Sequence, residues 1–325
     1  MKRPLRLLVA AGLTAVCLLL AAVVAYSGSY GLGVIVRRDL LIWGATKADD
    51  ERLSPSIRLA LQPRPPEATA GSFAWQRLGP GFEVGEMPVV AAGAEVDRIL
   101  LARIDPAHYR FQVWNRPSGD RDSLDWMNEL GAVLVINGSY FTRYGTPATP
   151  LISAGALSGP ADYEASHGAF VASAAFVGIR DLGKLHWRQA LRDADYGLVS
   201  FPLLIGADGQ SRVKADARWL ANRSFVAQDE KGHIVLGTTK DAFFSLDRLA
   251  TFLREAPLAL KLALNLDGGP IACQAIALNG FKRDFCGQWE MNSDGGELRM
   301  LRPVLGLRRW GLPIALAVLP KPRAE

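Results

Sequence analysis

The sequence predicts an α+β domain, a mixed sheet core with a few short helices, preceded by one N-terminal transmembrane helix. Three observations carry this. Leu7 to Tyr26 is a near-continuous apolar run of about 20 residues, the length that spans a bilayer. Two shorter apolar runs, Val133 to Ile136 and Leu258 to Leu264, read as buried strands. Between them lie strand-like segments and a few stretches of helical spacing, the pattern of an α+β fold rather than of alternating βα units.

Taken in order, Lys2, Arg3 and Arg6 precede the long apolar run and place the N-terminus in the cytoplasm, with the bulk of the chain outside it. Residues 1–30 therefore read as a signal anchor in the inner membrane, single-pass, with the domain on the periplasmic side. A cleaved signal peptide is the competing reading, with Ala25-Tyr26-Ser27-Gly28-Ser29 as the place of cleavage. Residues 31–72 read as a juxtamembrane segment with a short helix over Ser54 to Gln62 and a Pro-rich linker from Pro63. The folded domain is expected over 73–325. Ile99 to Ile104 and Tyr109 to Trp114 read as paired strands joined by Asp105-Pro106-Ala107-His108. Leu124 to Leu130 reads as a helix capped by Ser123 or Asp122. Leu151-Ile152 is a short strand among turns, and Gly168 to Ile179 alternates like a sheet core. Leu198 to Ile205 reads as a strand, and Ser224 to Asp229 with Ile234 to Thr239 as a hairpin. From Ser245, the residues Leu246, Leu249, Ala250 and Leu253 fall at helical spacing to about Glu255. Ile314 to Leu319 reads as a final strand.

Composition narrows the function classes. With 325 residues, 49% hydrophobic, the chain has ample material for a core beyond the N-terminal run. The net charge of +5 is mild and no Lys/Arg block stands out, which argues against nucleic acid as a partner. It suits an anionic membrane surface or a phosphate-bearing substrate equally. Three cysteines and four scattered histidines offer no zinc spacing, so no metal or other cofactor is called for, and a divalent ion on Asp267 has no ligand pattern behind it. Cys17 lies in the apolar run. Cys273 and Cys286 flank a turn at Asn279-Gly280-Phe281 and either close a disulfide in an oxidising compartment or remain two thiols.

The chemistry is concentrated at two strand ends. One apolar strand runs into Asn137-Gly138-Ser139-Tyr140-Phe141, the other into Asn265-Leu266-Asp267-Gly268-Gly269. Asn265 and Asp267 alternate with Leu266, so both face one side of a strand. A carboxylate at the end of a buried strand is costly without a partner. Asp267 is accordingly the leading catalytic candidate, with Asn265 and Asn137 beside it, and a turn aspartate bonding nearby N–H groups is the plain alternative. Arg223, in Asn222-Arg223-Ser224, offers a planar fork that matches two phosphate oxygens. Arg143 and His167 are further candidates for binding or acid–base work. Gly138, Gly268 and Gly269 leave room for a ligand or for another backbone. Tyr140 and Phe141 read as core or pocket wall.

These motifs in this order, with Gly145-Thr146-Pro147 between them, resemble the phosphodiester glycosidase domain family of the uncovering-enzyme type, over roughly residues 85 to 320. The resemblance implies a hydrolase that cleaves a sugar-1-phosphodiester, with an envelope glycan or lipid-linked sugar as substrate. It implies Arg223 on the phosphate and Asp267 near the anomeric carbon. The family's usual Asp-Gly-Gly-Gly-Ser followed by Ser or Thr reads here Asp267-Gly268-Gly269-Pro270-Ile271-Ala272, without either hydroxyl. That departure motivates a second reading, a non-catalytic glycan- or phosphate-binding protein of the cell envelope on the same fold.

Overall fold

The computed structural model describes residues 12–22, 43–47, 49–51, 53–163, 167–214, 219–287, 289–292, 298–301 and 310–322. The architecture is sheet-rich with few helices, and the strand ladders among the described residues are antiparallel. An eight-stranded sheet forms the middle layer. Its order is Leu203–Ile205, Leu260–Asn265, Ser224–Asp229, Ile234–Thr239, Ala94–Ile104, Phe82–Ala91 and Thr69–Ala70, with Gln76–Gly79 also paired to the Phe82–Ala91 strand. Both faces of this sheet are buried. Leu100, Ala102 and Ile104 enter one hydrophobic core while Ile99 and Leu101 enter another. Alternation to two cores explains why the segment reads as a continuous apolar run.

The first core lies between this sheet and a five-stranded sheet in the order Phe281–Cys286, Cys273–Leu278, Leu134–Asn137, Ile314–Pro320, Tyr109–Asn115. The Ser123–Leu130 helix adds Trp126 and Met127 to it. Asp122, rather than Ser123, caps that helix, accepting from the N–H groups of Leu124 and Asp125 at 2.8 and 3.0 Å, and Asp125 returns a capping-box bond. The second core receives the Leu246–Glu255 helix through Leu249, Phe252 and Leu253. A second five-stranded sheet (Val177–Asp181, Gly168–Ala172, Tyr196–Ser200, Leu151–Ser153, Ala156–Ser158) and a small four-stranded sheet (Trp43–Thr46, Leu298–Leu301, Glu290–Asn292, Trp219–Ala221) complete the fold.

Several expectations are revised. The strands ending at Ile104 and beginning at Tyr109 are not partners. Ala94–Ile104 pairs with Phe82–Ala91 through a two-residue turn at Ala92-Gly93, whose φ values of 52° and 76° are those of a hairpin turn. Tyr109–Asn115 instead pairs along its whole length with Ile314–Pro320. The single strand expected over Leu198 to Ile205 is two, in different sheets, separated at Phe201-Pro202, where Pro202 lacks the N–H that a continuing ladder needs. The fold also starts before Phe73. Trp43–Thr46 pairs with Leu298–Leu301, the Pro55–Ala60 helix buries Ile57 and Ala60, and Thr69–Ala70 extends the large sheet. Residues 12–22 are helical with exposed side chains. The rest of the Leu7 to Tyr26 span, with its basic flank and the alternative cleavage site, lies outside the described residues, and no helix among the described residues is long and apolar enough to cross a membrane.

One buried carboxylate is set apart from the site. Asp97 is 4% exposed, and its Oδ1 accepts from the N–H groups of Arg98 and Asp241 at 2.7 and 2.8 Å, while Oδ2 has no hydrogen-bond partner. Burial, with Asp241 nearby, holds its pKa well above the ordinary carboxylate range. Because the folded pKa is raised, the stability linked to this proton is complete below pH ~4. It is lost progressively as pH rises toward the folded pKa. Asp97→Asn keeps Oδ1 and does not titrate. Its melting temperature relative to the native protein is expected to climb between pH 4 and pH 8, as measured by thermal denaturation. A difference that stays flat with pH would show that Asp97 is ionised in the fold.

Candidate active site

The two strand ends meet. Leu134–Asn137 belongs to the five-stranded sheet and Leu260–Asn265 to the eight-stranded sheet, and the chain beyond each closes on the other. The Asp267 N–H donates to Gly138 O at 3.0 Å, and Asn137 Nδ2 donates to Asp267 O at 2.7 Å. Asn137 Oδ1 accepts from the Cys273 N–H at 3.1 Å. Asn137 thus clamps the Asp267 backbone to the strand that follows it. The Asp267 carboxylate accepts from the Gly268 N–H at 2.9 Å through Oδ1.

Asn265 points its Nδ2 at the Tyr140 hydroxyl, 2.7 Å away, and at Phe201 O, 3.1 Å away. Its Oδ1 is buried without a hydrogen-bond partner among the described residues. Tyr140 stacks on Phe201 with ring centroids 4.3 Å apart, and His167 lies over the same Phe201 ring at 4.9 Å. Burial, and then the Asp267 charge, pushes the Tyr140 phenol well above its usual range, so it acts as a neutral hydroxyl. Burial lowers the His167 imidazole, which favours its neutral form.

Arg223 sits just before the Ser224–Asp229 strand and is 5% exposed. Its Nη2 donates to Trp219 O at 2.6 Å and its Nε to Phe244 O at 3.3 Å. Its Nη1 lies 3.4 Å from where a Cβ on Gly268 would stand. Burial lowers its pKa, while the charges of Tyr140, Glu290, Asp247 and Asp267 work in the opposite direction. Asn222 anchors the surrounding loops. Its Nδ2 donates to Thr239 O and Asp241 O, Oδ1 accepts from the Trp289 N–H at 2.9 Å, and its backbone O accepts from the Gly269 N–H at 2.8 Å.

The structure adds a second carboxylate that sequence reasoning missed. Glu290 is 9% exposed, accepts from Trp219 Nε1 at 3.2 Å, and places Oε2 2.3 Å from where a Cβ on Gly269 would stand. Nothing adjacent in sequence marks Glu290; only its pairing in the Trp219–Ala221 and Glu290–Asn292 ladder brings it over the glycines. Asp267 and Glu290 are therefore both at the Gly268-Gly269 turn, with Arg223 against it.

The other predicted residues divide. The space expected beside the glycines is occupied by protein. A Cβ at Gly138 would meet Ile314 Cγ2 at 2.2 Å, one at Gly268 would meet Asn222 O at 2.9 Å, and Gly269 adopts φ +71° against Glu290. These glycines permit the strand ends to close. Gly138→Ala is expected to cost on the order of 1–3 kcal/mol by overpacking. In denaturant unfolding, the double variant with Ile314→Ala should lose less than the two single variants summed. Strictly additive losses would place the strain elsewhere. Arg143 is not drawn into the cluster: its guanidinium stacks on Tyr144 in an exposed turn, 4.7 Å from the ring centroid. Cys273 and Cys286 are cross-strand partners and form a disulfide, so the two-thiol alternative falls. Among the described residues no group of metal-ligating side chains is placed to hold an ion. The four converging side chains are also less open than a solvated cleft: Asn137, Arg223, Asn265 and Asp267 are each 5% exposed or less.

The sequence profile of the phosphodiester glycosidase family matches residues 130–306, more than half of the chain and the whole of this cluster. This chain belongs to the phosphodiester glycosidase family. That family is one of hydrolases of glycosyl bonds to phosphodiesters. Among solved structures, the chain is similar to a hypothetical protein from Synechocystis, with 15% identity, a TM-score of 0.49, and coverage of 78% of this chain and 64% of that one, so it spans less than two thirds of that protein. It is also similar to the zebrafish N-acetylglucosamine-1-phosphodiester alpha-N-acetylglucosaminidase catalytic domain auto-inhibited by its pro-peptide, with 15% identity, a TM-score of 0.49, and coverage of 78% and 87%. A putative exported protein from Burkholderia pseudomallei K96243 matches with 12% identity and a TM-score of 0.39, covering 73% of this chain and 77% of that one. A search of curated proteins finds no match.

Proposed function

We propose that the chain is an exported, membrane-anchored hydrolase that cleaves the glycosidic bond of a sugar-1-phosphodiester in an envelope glycan or lipid-linked sugar. The observation that carries this reading is the convergence of Arg223 with two carboxylates, Asp267 and Glu290, around one glycine turn. The leaving group is a phosphate monoester, already a weak base, so the chief demands are charge stabilisation on phosphate and a carboxylate at the anomeric carbon. Arg223 answers the first through its fork. Asp267 answers the second, as nucleophile or as the base that activates water, and Glu290 supplies the other carboxylate that either stereochemical course uses. Asn265 holds the Tyr140 hydroxyl through its Nδ2, and Asn137 positions Asp267 through the backbone. The N-terminal apolar run and its basic flank support the anchor and the periplasmic placement.

The departure at Pro270-Ile271-Ala272 favours a second reading. Gly269–Ile271 forms a 3-10 turn, with Ile271 and Ala272 packed at 2% and 0% exposure where the family carries hydroxyls. A protein that binds a phosphorylated glycan without cleaving it fits that substitution. One experiment separates the readings: the purified protein is incubated with a sugar-1-phosphodiester, and free sugar and phosphate monoester are measured. Stoichiometric release of both supports hydrolysis. Saturable binding with no release leaves the binding protein.

A further inference from the structure

A charged pocket, about 300 Å³ in volume, lies at the far end of the strand that follows Arg223. Arg223 and Asp229 bracket that strand, which at ~3.3 Å per residue puts the two ends roughly 20 Å apart. The pocket draws on three elements: Arg77 and Glu83 from one hairpin, Arg103 and Asp105 from the neighbouring strand end, and Lys231 and His233 from the turn after Asp229.

The turn is built around a buried carboxylate. Asp229 is 4% exposed, and its Oδ1 accepts from the N–H groups of Lys231 and His233 at 2.9 and 2.8 Å. Its Oδ2 lies 2.8 Å from His233 Nδ1. An ionised carboxylate only accepts, so Nδ1 carries the proton and Nε2 is the ring nitrogen left for a ligand. The pocket's acids are already engaged. Glu83 accepts from Arg103 Nε at 2.7 Å and pairs with Nη2 at 2.5 Å, and Asp105 Oδ1 accepts from the Ala107 N–H at 2.8 Å. Arg77 and Lys231 form no ion pair among the described residues. The result is an oriented imidazole in a lining of three cations and two acids, with Arg77 and Lys231 outside the ion pairs of the described residues and no part of the proposed catalytic cluster involved.

We propose that this pocket binds a phosphate group, either as free phosphate or as a sugar phosphate monoester. Arg77 and Lys231 supply charge-assisted bonds to its oxygens. The His233 Nε2 accepts from a protonated phosphate oxygen or, when protonated, donates to a bare one. The inference stands apart from the hydrolase reading, because it uses none of its residues.

The test is a titration of the purified full chain with inorganic phosphate and, separately, glucose 1-phosphate, followed by the NMR signals of the imidazole rings. The chain has four histidines, which makes the signals assignable, and His167 reports on the Asp267 cluster while His233 reports on this pocket. The expected result is a saturable shift of the His233 ring, with half-saturation below about 10 mM. The exposed double substitution Arg77→Ala, Lys231→Ala should weaken it by at least about tenfold. A response to inorganic phosphate alone identifies free phosphate as the ligand, and a response to both probes, or to the ester alone, identifies the ester. No saturation of the His233 signal with either probe at about 50 mM, or a response that the double substitution leaves unchanged, overturns the proposal. A shift confined to His167 overturns it too and places phosphate at Arg223.

Discussion

Asp267→Asn is expected to lower turnover by at least about 10³-fold, roughly 4 kcal/mol of transition-state stabilisation. The fold should survive. Asn keeps the size and the oxygen that accepts from the Gly268 N–H, and the bonds that tie this residue to Gly138 and Asn137 run through its backbone. What disappears is the negative charge that attacks the anomeric carbon or draws a proton from water. Binding of the phosphodiester should persist, since Arg223 is untouched, and the loss should fall on kcat rather than KM. The check is steady-state release of free sugar, with thermal denaturation run beside it. Near-native turnover would make Asp267 a structural turn residue. Glu290→Gln would then be the next substitution to measure, because that carboxylate lies against the same turn.

The sequence is legible where the physics is local. The hairpin Ser224–Asp229 with Ile234–Thr239 is found with its expected bounds, because both strands are apolar and a polar turn with Gly232 at φ +88° lies between them. The Leu246–Glu255 helix follows its apolar spacing, and Cys273 faces Cys286 because a two-residue turn at Asn279-Gly280 fixes the register. The meeting of Asn137 with Asp267 was readable too, since two buried strands that end in polar groups need somewhere to satisfy them. Other features depend on partners far away in the chain. Tyr109–Asn115 takes its partner from the last described strand, and no local pattern distinguishes that strand from the adjacent Ala94–Ile104. Phe82–Ala91 has Gly85, Glu86 and Pro88 in its interior, residues that weaken a strand signal, although it buries Phe82, Val84, Met87 and Val89. Gly138 looked like an opening for a ligand because Ile314, which fills that space, is invisible from position 138. Glu290 is the same case in the site itself. Its neighbours in sequence say nothing, and its place follows only from a short ladder with Trp219–Ala221.

Arg223→Ala is expected to fail in two ways at once. The guanidinium is buried, and the charges of Tyr140, Glu290, Asp247 and Asp267 favour its charged form. Its removal strips the carbonyls of Trp219 and Phe244 of their donor. A buried acceptor left unsatisfied costs about 1–3 kcal/mol of stability. Turnover should fall with stability, because the phosphate loses its counter-charge in both the bound and the transition states. Arg223→Lys separates these effects. A lysine ammonium restores the positive charge and most of the stability, but it cannot present the planar fork to two phosphate oxygens. The expected outcome is a melting temperature close to the native value with KM raised and kcat lowered. If Arg223→Lys is as active as the native protein, the side chain acts only as a buried counter-ion, and the phosphate is held by another group. If Arg223→Lys unfolds like the alanine variant, the two carbonyl bonds rather than the charge are what the fold requires. In that case binding of the phosphodiester must be measured on a variant that spares them, such as Asn265→Ala, where the uncommitted oxygen is lost and the Arg223 bonds remain.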